Sequence, residues 1–224
     1  MDLSKSYEFF KPEMLKGRVH ILGCGSVGST VAELLARFGI TEISLYDFDD
    51  VEPHNLANQM FTTEHLFKNK AECVADMICK INPDAKDDLK IYKEGYTGQK
   101  LNGYVMLCVD NIDLRRKIVT DNKYNPNIKA MFDFRTRLTD AQHYAAAWND
   151  EKAKDALLGS MNFSHEEAMR ETPVSACHVT LSVAPTVRMI CNLGVTNFIN
   201  FVKEGKLHGM ILADAFKFEV DAIG

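Results

Sequence analysis

No two of the six cysteines stand in a CxxC pair; they fall singly at Cys24, Cys73, Cys79, Cys108, Cys177 and Cys191. That spacing argues against a zinc site of the paired-cysteine type, so no structural zinc is expected. Thiols scattered through apolar segments read as reduced, which points to the cytoplasm. No apolar run reaches the roughly 18 residues needed to cross a bilayer, so no membrane partner is expected. The opening residues, MDLSKSYEFFKPEM, hold no apolar signal core. Basic residues are not in excess: 26 Lys and Arg face 31 Asp and Glu, for a net charge of −5. That balance gives no electrostatic basis for a nucleic-acid partner. Repeats and low-complexity stretches are missing as well. What remains is a chain of 224 residues, 46% hydrophobic and 25% charged. This suits a single domain over residues 1–224 with a sizeable core.

The apolar pattern alternates between two periods. VHIL (19–22) is a short apolar run ending in glycines and predicts a buried strand. Val27, Val31, Leu34, Leu35 and Phe38 then recur along one helix face, which Gly39 ends. TEISLY (41–46) predicts a second strand. Ala71, Val74, Ile78 and Ile81 mark a second helix, closed by Asn82-Pro83. LKIYK, YVMLCV and IKAMFDF read as further strands, with a helix over 112–122 between the last two. Strands alternating with helices imply a Rossmann-like α/β fold, a mostly parallel sheet with helices on both faces. The last third departs from this rhythm as a mixed C-terminal extension. AQHYAAAW (141–148) reads as a strand and 150–170 as polar and helical. Residues 179–205 form a long apolar helical stretch, with Pro185 near its start or kinking it. Such a helix needs cover from the sheet or from a second subunit. MILADAFKFEV (210–220) reads as one closing strand.

GCGSVG, residues 23–28, matches G-x-G-x-x-G between a strand and a helix. Gly23 permits the tight turn, Gly25 admits a phosphate against the backbone, and Gly28 lets helix and strand pack closely. Asp47, at the end of the second strand, stands where an acid bonds a ribose hydroxyl pair. By themselves these features suit a nicotinamide-dependent oxidoreductase equally well.

The residues beyond Asp47 separate the two. Asp47 to Gln59 reads D-x-D-x-V-E-x-x-N-L-x-x-Q. It resembles the signature of the ubiquitin-activating-enzyme superfamily, whose short bacterial members are the ThiF- and MoeB-type adenylyltransferases. Lys70 opens a helix where that family has its phosphate-binding lysine. VDNIDLRR is similar to the family's D-N-x-x-x-R element and supplies Asp110, Asn111 and Arg115. PVSACHVTLSVAP resembles the segment carrying the cysteine of sulfur-transferring members, here Cys177. LADAFKFEV resembles the family's closing strand. The match spans residues 17–135 closely and 172–220 loosely.

The resemblance implies adenylation, with ATP, of the C-terminal glycine carboxylate of a small ubiquitin-fold carrier protein. It also implies a homodimer. In this frame Gly23, Gly25, Gly28, Asp47, Asn55, Gln59, Lys70, Asn111 and Arg115 bind the nucleotide, and Asp49 holds the loop in shape. Asp110 binds Mg2+, Lys70 contacts phosphates, and Cys177 is the nucleophile. Asp50 and Glu52 face solvent, and His54 is a surface residue. Several residues also have plainer readings: Asp110 as a helix N-cap, Lys70 as a solvated lysine, Arg115 as a helix exterior residue, Cys177 as an inert thiol, Arg135 as structural. The family motif has arginine where Asn58 stands, and an amide lacks a guanidinium's charge and fork. The N-terminal segment, with Lys11, Lys16 and Arg18, matches no further family arginine. A non-catalytic ATP-binding scaffold is therefore the first alternative. The oxidoreductase is the second, since it leaves Asn55, Gln59, Lys70 and Asp110 without work.

Overall fold

A computed structural model of the chain describes residues 1–174 and 181–224. Eight strands form one sheet: β1 (Val19–Leu22), β2 (Ile43–Tyr46), β3 (Lys90–Tyr92), β4 (Gly103–Leu107), β5 (Ile128–Thr136), β6 (Asp140–Ala147), β7 (Met210–Asp214) and β8 (Glu219–Ile223). Their order across the sheet is β3-β2-β1-β4-β5-β6-β7-β8. The first five pair in parallel. From β5 onward every pairing is antiparallel. This is the expected mostly parallel Rossmann-like sheet with a mixed C-terminal part.

Among the described residues six α-helices cover it: α1 (Ser26–Arg37), α2 (Lys70–Ile81), α3 (Ile112–Asp121), α4 (Glu151–Gly159), α5 (His165–Glu171) and α6 (Ala184–Glu204). The sheet has a core on each face. On one face Val31 and Leu35 of α1, Val74 and Ile78 of α2, and Ile190 and Phe198 of α6 pack over Ile21, Leu45 and Phe132. On the other, α3 and α4 supply Ile118, Val119 and Leu157 against Leu22, Leu107 and Trp148. The segment 150–170 divides into α4 and α5 because Asp150 and Ser164 each accept backbone N–H groups at a helix start. Pro185 lies in the first turn of α6, where its missing N–H costs nothing. The apolar side of α6 is covered by the chain's own sheet and α1. Among the described residues no helix is long and apolar enough to cross a membrane.

The closing stretch is a hairpin and not the single strand its composition predicts. Asp214 Oδ1 accepts the N–H groups of Phe216 and Lys217, both at 3.0 Å, and Phe218 takes φ +61°. The carboxylate thus folds the chain back with no glycine or proline in the turn.

His143 on β6 is fully buried between the rings of Phe132 and Phe134. Its Nε2 faces Asn197 Nδ2 at 3.3 Å, and Nδ1 has no partner. Burial disfavours the imidazolium and pushes the pKa down to about 4. Between that value and about 6.5, the unfolded histidine binds a proton and the folded one does not, so stability falls as pH drops through this window. Chemical denaturation at several pH values should show His143→Gln losing a slope of up to about 1.4 kcal/mol per pH unit there. An unchanged slope in the variant would remove His143 as the cause.

Candidate functional site

The strand order places the site. β1 connects toward β2 on one side, while β4 lies on the other, so the loops after β1 and β4 diverge and leave a crevice at the sheet's C-terminal edge. The glycine loop opens into it. Gly23 has φ +94°, and a Cβ there would lie 2.8 Å from the Cys108 carbonyl carbon. A Cβ on Gly28 would come within 1.8 Å of the Gly23 carbonyl oxygen, so the first turn of α1 is seated directly on the loop. Gly25 is different: its nearest neighbour would be Gln59 Nε2, at 4.0 Å. It is also the N-cap of α1 and brings no side-chain cap. The opening N–H groups of α1 therefore face open space, an arrangement that favours an anion.

Asp47 ties this loop to the rest of the edge. Its Oδ2 accepts the Cys24 N–H at 2.6 Å, its Oδ1 the Asp49 N–H at 2.9 Å, and its carbonyl the Asn69 amide at 3.0 Å. Burial pushes the carboxyl pKa up, and the two N–H donors pull it back toward the charged form. Asn69 is the residue that sequence reasoning missed. Its Oδ1 caps α2 by accepting the Ala71 and Glu72 N–H groups at 3.1 and 3.3 Å, and its Nδ2 also reaches the Asp49 carbonyl at 3.2 Å. An Asn immediately before an apolar helical period is an N-cap signal, and that could have found it.

Lys70 is buried and not solvated, with Nζ 2.9 Å from Asp49 Oδ2. Asn55 is buried and accepts the Glu52 N–H at 2.9 Å, fixing the turn that carries Asn58 and Gln59. Gln59 Oε1 is buried without a partner beside the open glycine. The cap of α3 is Asn111, whose Oδ1 accepts the Leu114 N–H at 3.0 Å, and not Asp110. Asp110 is exposed at the crevice, and its carboxylate has no bonding partner among the described residues. Arg115 is not a helix exterior residue. It is buried beneath the crevice, where Nη1 donates to Asp133 and to the Leu107 and Phe134 carbonyls. Cys177 lies outside the described residues.

Of these groups Asp49, Asn55, Gln59, Lys70, Asp110 and Arg115 line one cleft of about 1040 Å³, while Asp47, Asn69 and Asn111 act from behind its wall. One lobe holds Ser26, Asn55, Gln59, Lys70 and Asp110; the other runs past Arg135 toward Gln142, Tyr144 and Phe163. Among the described residues, no three His, Cys, Asp or Glu side chains cluster as a metal site.

A glycine loop feeding a helix start at the switch point of a parallel sheet defines a Rossmann-like α/β domain with an anion cradle. Within that class the chain belongs to the ThiF family, whose sequence profile matches residues 11–223. It is similar to ubiquitin-like modifier-activating enzyme 5 of Drosophila persimilis, with 30% identity over 134 residues, 53% of this chain and 34% of that one. The counterpart of Drosophila willistoni is 35% identical over 113 residues, 50% of this chain and 24% of that one. The chain thus matches 34% and 24% of the length of these relatives. Among solved structures, PaaA matches with a TM-score of 0.70 at 18% identity, covering 99% of this chain and 68% of that one. E. coli MccB solved with ATP matches at 0.68 and 18%, covering 94% and 64%. These two likenesses show the fold.

Because Asn69 joins two carbonyls to two helix N–H groups, Asn69→Ala should lower stability by about 1–3 kcal/mol in a urea titration. A midpoint unchanged from wild type would mean that the joint carries no strain.

Proposed function

We propose that this chain is an ATP-dependent adenylyltransferase that activates the C-terminal glycine carboxylate of a small ubiquitin-fold carrier protein. The observation carrying this reading is the pairing, across one crevice in a ThiF chain, of an uncapped helix start with an unbonded carboxylate, Asp110. The names of the relatives support it, as do the structures of MccB with ATP and with MccA. In the reaction, a carboxylate oxygen bonds to the α-phosphorus and the bond to the β-phosphate oxygen breaks. Pyrophosphate leaves, and no proton has to move.

Two anions meet in that step, so the protein's part is positioning and charge. The Gly25 backbone and the first N–H groups of α1 would hold phosphate oxygens, with Asp47 keeping the loop in place and offering its remaining lone pairs to the ribose. Asn55 and Gln59 would brace and orient the nucleotide. Lys70 would approach phosphate from its ion pair with Asp49, and Asn111 and Arg115 would stiffen the strand end behind Asp110. Asp110 fits Mg2+, a cation that takes one carboxylate together with phosphate oxygens and water and neutralises phosphate charge. Cys177 is the proposed nucleophile for any later transfer. The working unit is read as one domain over residues 1–224, cytoplasmic and homodimeric. The dimer rests on the resemblance, since α6 is covered within the chain.

The second reading is a scaffold that binds ATP without catalysis. Asn58 favours it, because a neutral amide at that position leaves the cradle one cation short. Thermal unfolding separates both from a nicotinamide protein: ATP with Mg2+ at 100 times its dissociation constant should add about 2.7 kcal/mol, and NAD nothing. Asp110→Ala should remove the dependence on Mg2+ and lower ATP–pyrophosphate exchange by roughly a hundredfold or more. Exchange is to be assayed with glycine-terminated ubiquitin-fold proteins of the same genome. ATP stabilisation with no exchange for any of them would leave the scaffold.

A further inference from the structure

The crevice holds a charge imbalance that the nucleotide does not account for. Asp133, at the C-terminal end of β5, is fully buried and flanked by two guanidiniums. Arg115 donates through Nη1 to its Oδ1, and Arg135 through Nε to its Oδ2 at 2.6 Å. Neither arginine has a second carboxylate within ion-pair distance among the described residues. Two positive charges against one negative leave one positive charge. It sits among side chains that are 7, 15 and 0% exposed for Arg115, Arg135 and Asp133. A desolvated charge without a counter-ion is unfavourable, so this group is built to receive an anion.

Arg135 is the member that can receive it. Arg115 lies deeper, committed to Asp133 and to two backbone carbonyls. Arg135 lines the cleft as Arg115 does, and it is the more exposed of the two. Its Nη1 donates to the Ser160 carbonyl and its Nη2 to Ser160 Oγ, both at 2.8 Å, and the guanidinium lies 4.5 Å from the Tyr144 ring centre. A guanidinium has five N–H groups. With three engaged, one remains on each terminal nitrogen. The fork is thus immobilised, charged and partly vacant, which suits recognition of a carboxylate.

Its place along the sheet edge says which anion. The phosphate cradle follows β1, Asp110 follows β4, and Arg135 ends β5. Adjacent strands are about 4.8 Å apart, so Arg135 stands next to Asp110 and roughly 10 Å from the cradle. An anion there is beyond the phosphate-binding loop, on the side from which a second reactant has to come. Asp140 and Glu167 also line this lobe, so an anion is welcome at Arg135 and not along the lobe in general.

We propose that Arg135, fixed by Asp133, Ser160 and Tyr144, binds the terminal carboxylate of the second substrate and aims it at the nucleotide. This rests on the adenylation reading, and the test separates the two. The probes are a hexapeptide ending in Gly-Gly as the free acid and the same peptide as its C-terminal amide. Binding of each is measured by calorimetry with Mg2+ and α,β-methylene-ATP present. Wild type should prefer the acid by about tenfold or more, the effect of a hydrogen bond to a charged group. Arg135→Gln should reduce the preference to within about twofold, and Arg135→Lys should keep part of it through charge alone, with nucleotide affinity unchanged in both. Ser160→Ala removes the hydroxyl that accepts from Nη2 and donates to the Leu157 carbonyl; it leaves the Arg135–Asp133 pair in place and should weaken the preference in a folded chain, so the test survives if Arg135→Gln does not fold. Equal binding of acid and amide by wild type, or a preference that persists in Arg135→Gln or is untouched in Ser160→Ala, overturns the proposal. Weaker nucleotide binding in both Arg135 variants overturns it too, by assigning the anion to phosphate. If wild type binds no nucleotide, the adenylation reading itself falls, and this proposal with it.

Discussion

A carboxylate buried at the end of a strand is an expensive object, and the candidate site is arranged around one. Asp47 is drawn toward neutrality by burial and toward charge by the Cys24 and Asp49 N–H groups it accepts. Through those two bonds it fixes the first turn of the glycine loop and the first turn after β2. Through its own carbonyl it engages Asn69, which in turn caps α2 and so determines where Lys70 begins that helix. The glycine loop, the turn after β2 and the start of α2 are thereby locked to one residue. Removing the carboxylate would strand the buried Cys24 N–H as well as the half-buried Asp49 N–H, and the buried one costs more than its bond is worth. The residue expected to hold a ribose is thus first the residue that shapes the cradle.

The other charges fall into two kinds. Lys70 with Asp49 is a balanced pair at the rim, close to neutral until a phosphate competes for the lysine. Asp110 and the Arg115–Asp133–Arg135 group are unbalanced, with one negative charge and one positive charge on neighbouring strand ends. On the proposed reading this is the layout the chemistry asks for. A cation bound at Asp110 neutralises phosphate, and the spare guanidinium charge lowers the cost of bringing a second anion beside it.

Much of the α/β frame was legible because one-sided burial writes itself directly into apolar spacing. Val27, Val31 and Leu35 recur at the helical period because they face one sheet, and Ile43 to Tyr46, apolar but for Ser44, are continuously buried because both faces of β2 are covered. The glycine loop and Asp47 were legible for a similar reason, since their chemistry is local to one turn. What escaped is non-local or carried by unusual residues. Asp133 meets Arg115 only because β5 lies beside β4 and the helix that follows it, and no spacing rule reports that. Arg135 was read as structural, and its bonds to Ser160 arise from a turn 25 residues away. The β7–β8 hairpin was hidden because its turn is made by Asp214 and a phenylalanine at positive φ, without the glycine or proline that usually marks one. Gln59 was named for the right neighbourhood, but its unpartnered Oε1 emerges only from the packing.

The change of strand direction at β5 then acquires a meaning. Parallel strands deliver their C-terminal ends, with the loops that follow, to one edge, and that edge carries the loop after β1, Asp47 after β2 and Asp110 after β4. An antiparallel neighbour cannot extend such a row, because its loop returns at the same edge as a tight connection. β5 is the last strand to run parallel, so its C-terminal end is the last position in the row, and β6 begins there by folding back. Arg135 occupies that final position and faces Gln142 of β6, its direct cross-strand partner. Beyond it the cleft is lined by β6, by the turn between α4 and α5, and by α5 itself. On the proposed reading the sheet divides its own edge, with a parallel half for phosphate and an antiparallel half for a peptide-like tail. The uncompensated positive charge of the Arg115–Asp133–Arg135 group sits at that boundary.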